Sequence, residues 1–141
     1  MIHIHQGVDI VDIAHFRDVA MRNADFLADI FTEGEREYCL SQKNADLHFA
    51  GRFAAKEACL KALGLGLSSA GLGHGLKEIE IIRRPSGRPE LSLRGWAASV
   101  YKRKKIYQHT VSISHTDNAA VASVVMVADK NEPGDTARQR S

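Results

Sequence analysis

The sequence is organised around one strongly helical stretch, Phe49-Ala50-Gly51-Arg52-Phe53-Ala54-Ala55-Lys56-Glu57-Ala58-Cys59-Leu60-Lys61-Ala62-Leu63-Gly64. At 3.6 residues per turn, Leu60, Phe53 and Leu63 fall within about 40° of Phe49, which predicts a helix over residues 46–63 with one buried stripe. Lys56 falls inside this stripe, and Glu57 lies at its edge. Because an unpaired charge is costly to bury, Lys56 must be paired, extended to the surface or functional.

The size and composition of the chain predict one globular domain. Its 141 residues, of which 44% are hydrophobic and 26% charged, fit a single folded unit. A net charge of +2 is too small for a general nucleic-acid binder, so any anion site must be local. Two cysteines cannot form a disulfide scaffold or a four-ligand zinc site, which favours a reducing, cytoplasmic setting.

The sequence shows neither a signal-peptide pattern nor a membrane-spanning segment. The amino-terminal residues lack the basic region and the long apolar run of a signal peptide. No apolar stretch approaches the ~18 residues that a membrane span needs, so no membrane partner is expected.

The first part of the chain alternates between strand and helix patterns. Residues 2–13 are predicted to form a strand, in which Gly7 marks a bulge or a close approach of another backbone. Residues 16–40 are predicted to be helical with a break at Thr32. There Thr32-Glu33-Gly34-Glu35 has the form of a capping box that starts a second short helix.

The second part predicts a hairpin, a short helix and two closing strands. The hairpin covers residues 79–93, with Ile79 and Ile81 paired to Leu91 and Leu93. A helix around Trp96, Val100 and Tyr101 follows. The closing strands run from His109 to His115 and, buried, from Val121 to Val127.

The fold class that follows is α+β, an antiparallel sheet packed with one long central helix and shorter helices. One domain is predicted over residues 1–128. Residues 129–141 are polar and are predicted to form a disordered tail. The glycine-rich segment 65–75 is predicted to be a loop, and it lacks the Gly-Lys-Ser/Thr sequence of a P-loop.

Asp9 and Glu57 are acidic residues in apolar surroundings, and each has two interpretations. One makes Asp9 an edge-strand carboxylate facing water and Glu57 a surface partner of Lys61 at i,i+4. The other brings the two carboxylates together at a Mg²⁺ site, because Mg²⁺ prefers oxygen ligands and keeps several waters. Sequence spacing leaves both interpretations open.

His115 and the basic run Lys102-Arg103-Lys104-Lys105 are open in the same way. His115 ends a strand, where a histidine is either a surface residue or a catalytic one. The basic run is either a solvated helix end or a surface that attracts an acidic protein.

Three motifs, in this order, resemble the signatures of the 4′-phosphopantetheinyl transferases. Gly7-Val8-Asp9 resembles the G-x-D motif of that family. The central helix contains F-A-x-K-E-A-x-x-K-A at residues 53–62, and Val111-Ser112-Ile113-Ser114-His115-Thr116 matches the closing strand motif. Length and spacing are similar to the short, single-repeat branch, the holo-acyl-carrier-protein synthases, over residues 2 to about 128.

The resemblance implies a group transfer. Such enzymes move the phosphopantetheine arm of coenzyme A to a serine hydroxyl of an apo acyl carrier protein and release adenosine 3′,5′-bisphosphate. The catalytic residues implied are Asp9, Glu57 and Lys61. Asp9 and Glu57 match the Mg²⁺ ligands, Glu57 is also the candidate base for the serine proton, and Lys61 matches a lysine that reaches the phosphates. Lys56 belongs to the signature without an assigned role.

The resemblance also implies a nucleotide-binding set. Its members are Arg52, Lys61, Gly64, Arg88, His115 and Thr116. Arg52, His115 and Thr116 match positions that contact the nucleotide part of coenzyme A, including its 3′-phosphate. Arg88 stands in Ser86-Gly87-Arg88-Pro89, where relatives often carry Gly-Lys-Pro.

The implied partners are coenzyme A, an acidic apo acyl carrier protein and further copies of this chain. Relatives often carry a carrier-binding arginine shortly after the first motif, whereas Ala14-His15-Phe16-Arg17 stands there in this sequence. Either His15 or Arg17 is a candidate substitute. The short branch resembles a homotrimer with active sites at subunit interfaces. Carriers of fatty-acid, polyketide and other biosynthesis all remain candidate acceptors.

Two alternative functions use the same residues. A noncatalytic module could bind coenzyme A or a carrier protein, although such a module would not need Asp9, Glu57 and Lys61 together. A Mg²⁺-dependent phosphohydrolase could use the two carboxylates, and it would cleave coenzyme A without any carrier protein.

Overall fold

The computed structural model describes residues 1–65 and 75–130. In chain order, the helices and strands of these residues are β1 (Ile2–Asp12), α1 (Ile13–Arg22), α2 (Phe26–Ile30), α3 (Glu33–Leu40), α4 (Ala45–Ala62), β2 (Ile79–Arg83), β3 (Pro89–Leu93), α5 (Gly95–Arg103), β4 (Ile106–His115) and β5 (Ala119–Asp129). None of these helices is long and apolar enough to cross a membrane. The predicted glycine-rich loop and tail lie largely outside the described residues, at 66–74 and 131–141.

The described strands form two antiparallel sheets, which confirms the predicted α+β class. One sheet has the strand order β1-β5-β4, and the other is the β2-β3 hairpin. In the first sheet Asp9 lies opposite Ala122, and Ala122 lies opposite Ile113. Helix α4 packs across all three strands. Its alanine-rich middle allows this close packing, since Ala50, Ala54 and Ala58 are fully buried.

Helix α4 and strand β1 come into direct backbone contact at Gly7. A Cβ atom built on Gly7 would lie 1.9 Å from the carbonyl oxygen of Ala58 and 2.8 Å from the amide nitrogen of Ala62. No side chain fits in that space, because van der Waals contact requires well over 3 Å. Of the two alternatives for Gly7, the close backbone approach is therefore the observed one, and β1 and β5 pair without a bulge there.

Several sequence predictions are confirmed at this level. The central helix runs from Ala45 to Ala62, within one residue of each predicted end. Thr32 and Glu35 form the predicted capping box at the start of α3. In the β2-β3 hairpin, Ile79 lies opposite Leu93 as predicted.

The helical prediction for residues 16–40 is wrong in one respect. A break over residues 23–25 divides the first part of this segment into α1 and α2. Asn23 adopts an extended backbone conformation, and its side-chain amide donates a hydrogen bond to the carbonyl of Val19 at 3.1 Å. Asparagine competes for backbone groups in this way, which favours helix ends over helix interiors.

Strand β5 differs from its prediction in length and in burial. It continues to Asp129, which accepts a bond from the amino group of Met1 at 3.2 Å and so belongs to the sheet rather than to a tail. Only alternate residues of β5 are fully buried. We call the opposite side the outer sheet face. Its apolar residues are Ile2, Ile4, Val8 and Ile10 of β1 with Val121, Val125 and Val127 of β5, and the polar Gln6 and Ser123 lie among them.

Candidate active site

Asp9 lies beside helix α4 because of its spacing from Gly7. Residues two apart on a strand face the same side, so the close approach at Gly7 also directs Asp9 towards the helix. Its side chain is only 11% exposed. The Lys61 ammonium group donates hydrogen bonds to the Val8 carbonyl at 3.0 Å and to Asp9 Oδ1 at 3.1 Å. The edge-strand interpretation, in which Asp9 faces water, is therefore wrong.

The structure also decides which carboxylate pairs with Lys61. Its ammonium group binds Asp9 across the strand–helix contact rather than Glu57 one turn earlier in the same helix. The i,i+4 ion pair considered from the sequence is therefore not the one that forms. Because Lys61 is still about half exposed, its ammonium group can reach a ligand beside Asp9.

Glu57 shares this site with Asp9. Burial, a hydrogen bond to the Asp9 carboxyl and the negative charge of Asp9 together raise the pKa of Glu57 to about 8, while Lys61 opposes the shift. Two carboxyl groups this close cannot both ionise easily without a cation. A proton acceptor with a pKa near neutrality is also suited to general base catalysis.

The acidic pair fits a hard divalent cation. Asp9 Oδ2 is buried and has no hydrogen-bond partner assigned to it among the described residues, so this oxygen is available to a cation. No group of three or more His, Cys, Asp or Glu residues among the described ones could hold a metal. A pair of carboxylates is the set that suits Mg²⁺, which takes its remaining oxygens from water and phosphate.

A second cluster, of cationic and aromatic side chains, lies on another face of α4. The Arg52 side chain is largely buried, and its guanidinium carbon lies 4.0 Å from the centroid of the Tyr38 ring. The guanidinium of Arg83 lies 5.5 Å from the same ring. Arg52 Nε is buried and has no hydrogen-bond partner among the described residues. This arrangement suits an anion, because it offers unpaired donors and positive charge.

His48 connects the cationic cluster to the end of β4. Its ring lies 5.8 Å from the Tyr38 ring and 6.4 Å from the His115 ring. Burial lowers the pKa of His48, and the positive charges of Arg52, His115 and Arg83 lower it further. The same positive charges that disfavour protonation of His48 would stabilise an anion bound beside it.

Thr116 holds the turn between β4 and β5. Its hydroxyl oxygen accepts hydrogen bonds from the amides of Asn118 at 3.2 Å and Ala119 at 3.1 Å. These bonds fix the turn that follows His115. Thr116 thereby places the exposed His115 at the rim of the cationic cluster.

Gly64 ends helix α4 in a left-handed conformation with a φ of 78°. The amide of Leu65 bonds to the Leu60 carbonyl at 2.8 Å, and the amide of Gly64 bonds to the Lys61 carbonyl at 3.0 Å. This pair of bonds is a Schellman motif, which requires φ > 0 at Gly64. The helix therefore ends one turn after Glu57, so that Lys61 lies in its last turn.

Arg88 is the predicted residue that the structure leaves apart from these clusters. It lies in the turn of the β2-β3 hairpin and lines a groove between β3 and β4 that also contains Tyr107 and His109. Among the described residues, no contact joins it to Asp9 or Arg52.

Three residues of the cationic cluster were not identified from the sequence. Tyr38, His48 and Arg83 belong to three different elements, so no local spacing unites them. One partial signal exists, because His48 and Arg52 are four residues apart and share a helix face. Arg52 and Glu57 are separated by about 7.5 Å along the helix axis, at 1.5 Å per residue. The two clusters therefore lie on different faces of the same stretch of α4, about one and a half turns apart.

Comparison with known sequences is consistent with this geometry. The profile of the 4′-phosphopantetheinyl transferase superfamily matches residues 6–124. The chain is 44% identical over 121 residues to the holo-[acyl-carrier-protein] synthase of Geotalea daltonii, covering 85% of this chain and 94% of the relative. It is 41% identical over 135 residues to the synthase of Chloroflexus aggregans, covering 89% and 96%.

Solved structures agree with the sequence comparison. The ACPS–CoA complex of Chronobacterium ammoniagenes has a TM-score of 0.78 at 26% identity, covering 91% of this chain and 99% of the other. The Helicobacter pylori holo-[acyl-carrier-protein] synthase in complex with coenzyme A has a TM-score of 0.72 at 31% identity, covering 86% and 98%. The chain therefore belongs to the 4′-phosphopantetheinyl transferase superfamily, in the branch of the holo-acyl-carrier-protein synthases.

Proposed function

We propose that this protein is an enzyme that transfers the 4′-phosphopantetheine arm of coenzyme A to a serine of an apo acyl carrier protein. The observation that supports this function is that Asp9 of β1 and Glu57 of α4 form a two-carboxylate site near a cationic cluster, in a chain related over most of its length to synthases named for this reaction. Structures of relatives in complex with coenzyme A support the choice of donor.

In the proposed reaction, the serine oxygen bonds to the phosphorus that carries pantetheine. The bond from that phosphorus to the bridging oxygen breaks, and adenosine 3′,5′-bisphosphate leaves with the electron pair. Glu57, in its ionised form, takes the serine proton. Lys61 moves its ammonium group from Asp9 to the pyrophosphate, where it stabilises the charge on the leaving group.

We propose Asp9 and Glu57 as the residues that hold Mg²⁺. The bound ion would supply charge neutralisation at the pyrophosphate. Arg52, His115 and Thr116 would hold the nucleotide end of coenzyme A, with Gly64 shaping the end of the helix next to the phosphates. Arg88 would join this set only from its separate groove, so its assignment rests on the motif resemblance alone.

We propose that the acidic carrier protein docks beside Asp9 through Arg17. Arg17 lies on α1, which begins directly after β1. Its side chain is 51% exposed and pairs with Asp46 at 2.7 Å, so an acidic carrier would compete for it with Asp46. The exposed Lys102 and Arg103 at the end of α5 are a second candidate contact. Contacts of this kind speed the encounter and weaken with salt.

Salt dependence tests the docking proposal. Arg17→Glu should raise the carrier KM at low salt while changing the apparent affinity for coenzyme A little. Lys102→Glu with Arg103→Glu tests the second surface in the same way. An unchanged carrier KM in either variant removes that surface from the docking site.

We propose that the active form is a homotrimer with sites at subunit interfaces. The outer sheet face supports this, because Ile4 and Ile10 on the edge strand β1 are 70% and 71% exposed. Exposed apolar residues along a sheet edge mark an association surface. A cytoplasmic location fits the two free, buried cysteines, Cys39 and Cys59.

Intact-mass analysis tests the reaction class. Candidate apo carrier proteins are incubated with coenzyme A, Mg²⁺ and this protein, and each acceptor should gain the mass of one phosphopantetheine. Cleavage of coenzyme A without a carrier would identify a phosphohydrolase instead. Tight binding of coenzyme A with neither product would identify a noncatalytic module.

A further inference from the structure

The proposed chemistry leaves one buried charged residue of the signature without a function. The Lys56 side chain is 0% exposed, and its ammonium group donates to Glu35 Oε1 at 2.8 Å. It also donates to the carbonyls of Leu76 at 2.7 Å and Ile79 at 2.6 Å. All three ammonium hydrogens thus have acceptors, so Lys56 is a fully satisfied group rather than a reactive one.

Glu35 is equally well bonded. Its Oε1 also accepts from the amide of Thr32 at 2.9 Å, and its Oε2 accepts from the amide of Ile81 at 3.0 Å. Glu35 is therefore the capping residue of α3 and the partner of α4 and β2 at once. The ion pair joins three elements through directional hydrogen bonds.

A buried ion pair is a poor source of stability. The cost of removing two charges from water offsets their attraction, and well-packed apolar residues of similar volume are often as stable. Burial lowers the pKa of Lys56, which reflects this cost, while Glu35 opposes the shift. Such a pair fixes geometry better than apolar residues do, because its directional hydrogen bonds are satisfied in only one relative position of the elements.

The residues that the pair fixes lead directly to the cationic cluster. Ile79, Ile81 and Arg83 point to one face of β2, since side chains alternate along a strand. The ion pair binds the backbone at residues 79 and 81, and Arg83 reaches the Tyr38 ring two residues later. Arg52 lies one turn before Lys56 on α4, and its guanidinium contacts the same Tyr38 ring.

We propose that Lys56 and Glu35 are positioning residues, which hold β2 and α4 in the register that keeps Arg83 and Arg52 together on Tyr38 to bind the 3′-phosphate of coenzyme A. This inference rests on the proposed function. It assigns the two residues to affinity for the nucleotide end and not to the transfer step, because Glu57 and Lys61 are positioned by β1.

Dephospho-coenzyme A, which lacks only the 3′-phosphate, separates positioning from general damage to the fold. The test variant is Lys56→Met combined with Glu35→Leu, which removes both charges together and so leaves none buried without a partner. The control variant is Met126→Ala, which creates a cavity in the fully buried core on β5, a strand that pairs with β1 and β4. Calorimetry measures binding of both ligands, and carrier assays measure kcat and KM.

The double variant should lose about tenfold in affinity for coenzyme A, whereas its affinity for dephospho-coenzyme A and its kcat should stay within about twofold. Met126→Ala should lower the melting temperature without changing the ratio of the two affinities. Hydrogen exchange at the Ile81 amide should be faster in the double variant only.

Three results would overturn the inference. They are an unchanged affinity for coenzyme A in the folded double variant, an equal loss for both ligands, and a shift of the ratio in Met126→Ala. If the double variant does not fold, Glu35→Gln replaces it under the same criteria. Failure of the unaltered protein to transfer phosphopantetheine contradicts the proposed function, whereas an active double variant with normal affinity contradicts positioning alone.

Discussion

At the residue scale, Asp9 and Glu57 are the residues on which the proposed transfer depends most. We predict that Asp9→Ala and Glu57→Ala each lower transfer at least about 100-fold, because charge neutralisation by a bound ion is worth several kcal/mol. Initial rates at saturating coenzyme A and carrier measure the effect. Glu37→Ala, an exposed carboxylate on α3, is the matched control and should leave the rate unchanged. Near-normal turnover of either site variant at ordinary Mg²⁺ would remove the metal assignment.

The pKa of Glu57 leads to a second prediction, on the stability of the metal-free protein. Its pKa rises from an ordinary 4.5 to about 8 in the folded state. Between these values the folded protein holds a proton that the unfolded chain has lost. Folding stability therefore falls as the pH rises, and the loss is complete above about pH 8.

Glu57→Gln removes this titration and measures it. In EDTA, the melting temperature of the variant minus that of the unaltered protein should be larger at about pH 8.5 than at about pH 5. Titrating groups that do not interact with Glu57 cancel in the difference. Added Mg²⁺ should reduce it, since the ion stabilises the ionised pair. A difference that is independent of pH would mean that Glu57 ionises normally.

Some of these residues were predictable from the sequence, and the reason others were not is physical. Asp9 and Glu57 stand out because a carboxylate in an apolar segment is costly to bury without a partner. The choice of Asp9 by Lys61 depends on the strand–helix contact, which helical spacing does not contain. Tyr38 and Arg83 meet only because α3 and β2 pack together, so local patterns could not reveal them.

At the scale of elements, the distance between β1 and α4 determines the site. We predict that Gly7→Ala is strongly destabilising and inactive, because its Cβ would overlap the carbonyl oxygen of Ala58. Backbone cannot move aside as a side chain can, so α4 must shift, and Asp9 with it. Thermal unfolding and Mg²⁺ titration measure the two consequences.

Gly34→Ala is the control for this substitution. Gly34 lies within helix α3, and the nearest atom to its Cβ position is Glu80 Oε2 at 3.7 Å, an ordinary contact. Alanine is favoured over glycine in helices by about 0.5–1 kcal/mol, so this variant should melt slightly higher and remain active. Equal losses in both variants would show that the contact at Gly7 is not special.

Elements with their own periodic signal were predicted well. The β2-β3 hairpin follows from alternating apolar residues on both sides of Pro85-Ser86-Gly87-Arg88. The break between α1 and α2 was missed because it depends on Asn23 binding the Val19 carbonyl, a local competition that apolar spacing does not record. The partial burial of β5 was missed for another reason. An unbroken apolar run is the same whether one face or both are covered.

At the scale of the whole molecule, the outer sheet face is the surface that the proposed assembly would bury. Ile2 and Val8 on this face are 54% and 49% exposed, like their more exposed neighbours Ile4 and Ile10. An aliphatic row of this kind on an edge strand is costly to leave in water. Association through it would bury this row between subunits.

We predict that Ile4→Lys combined with Ile10→Lys disrupts the assembly, because two charges cannot be buried at an apolar interface without partners. Light scattering should give three times the chain mass for the unaltered protein and one chain mass for the variant, with transfer lost in parallel. Ile82→Lys is the matched control, an equally drastic change at a residue that is 42% exposed on β2, away from the outer sheet face. A monomeric but fully active variant would show that each chain completes its own site, and a monomeric unaltered protein at assay concentrations would refute the trimer.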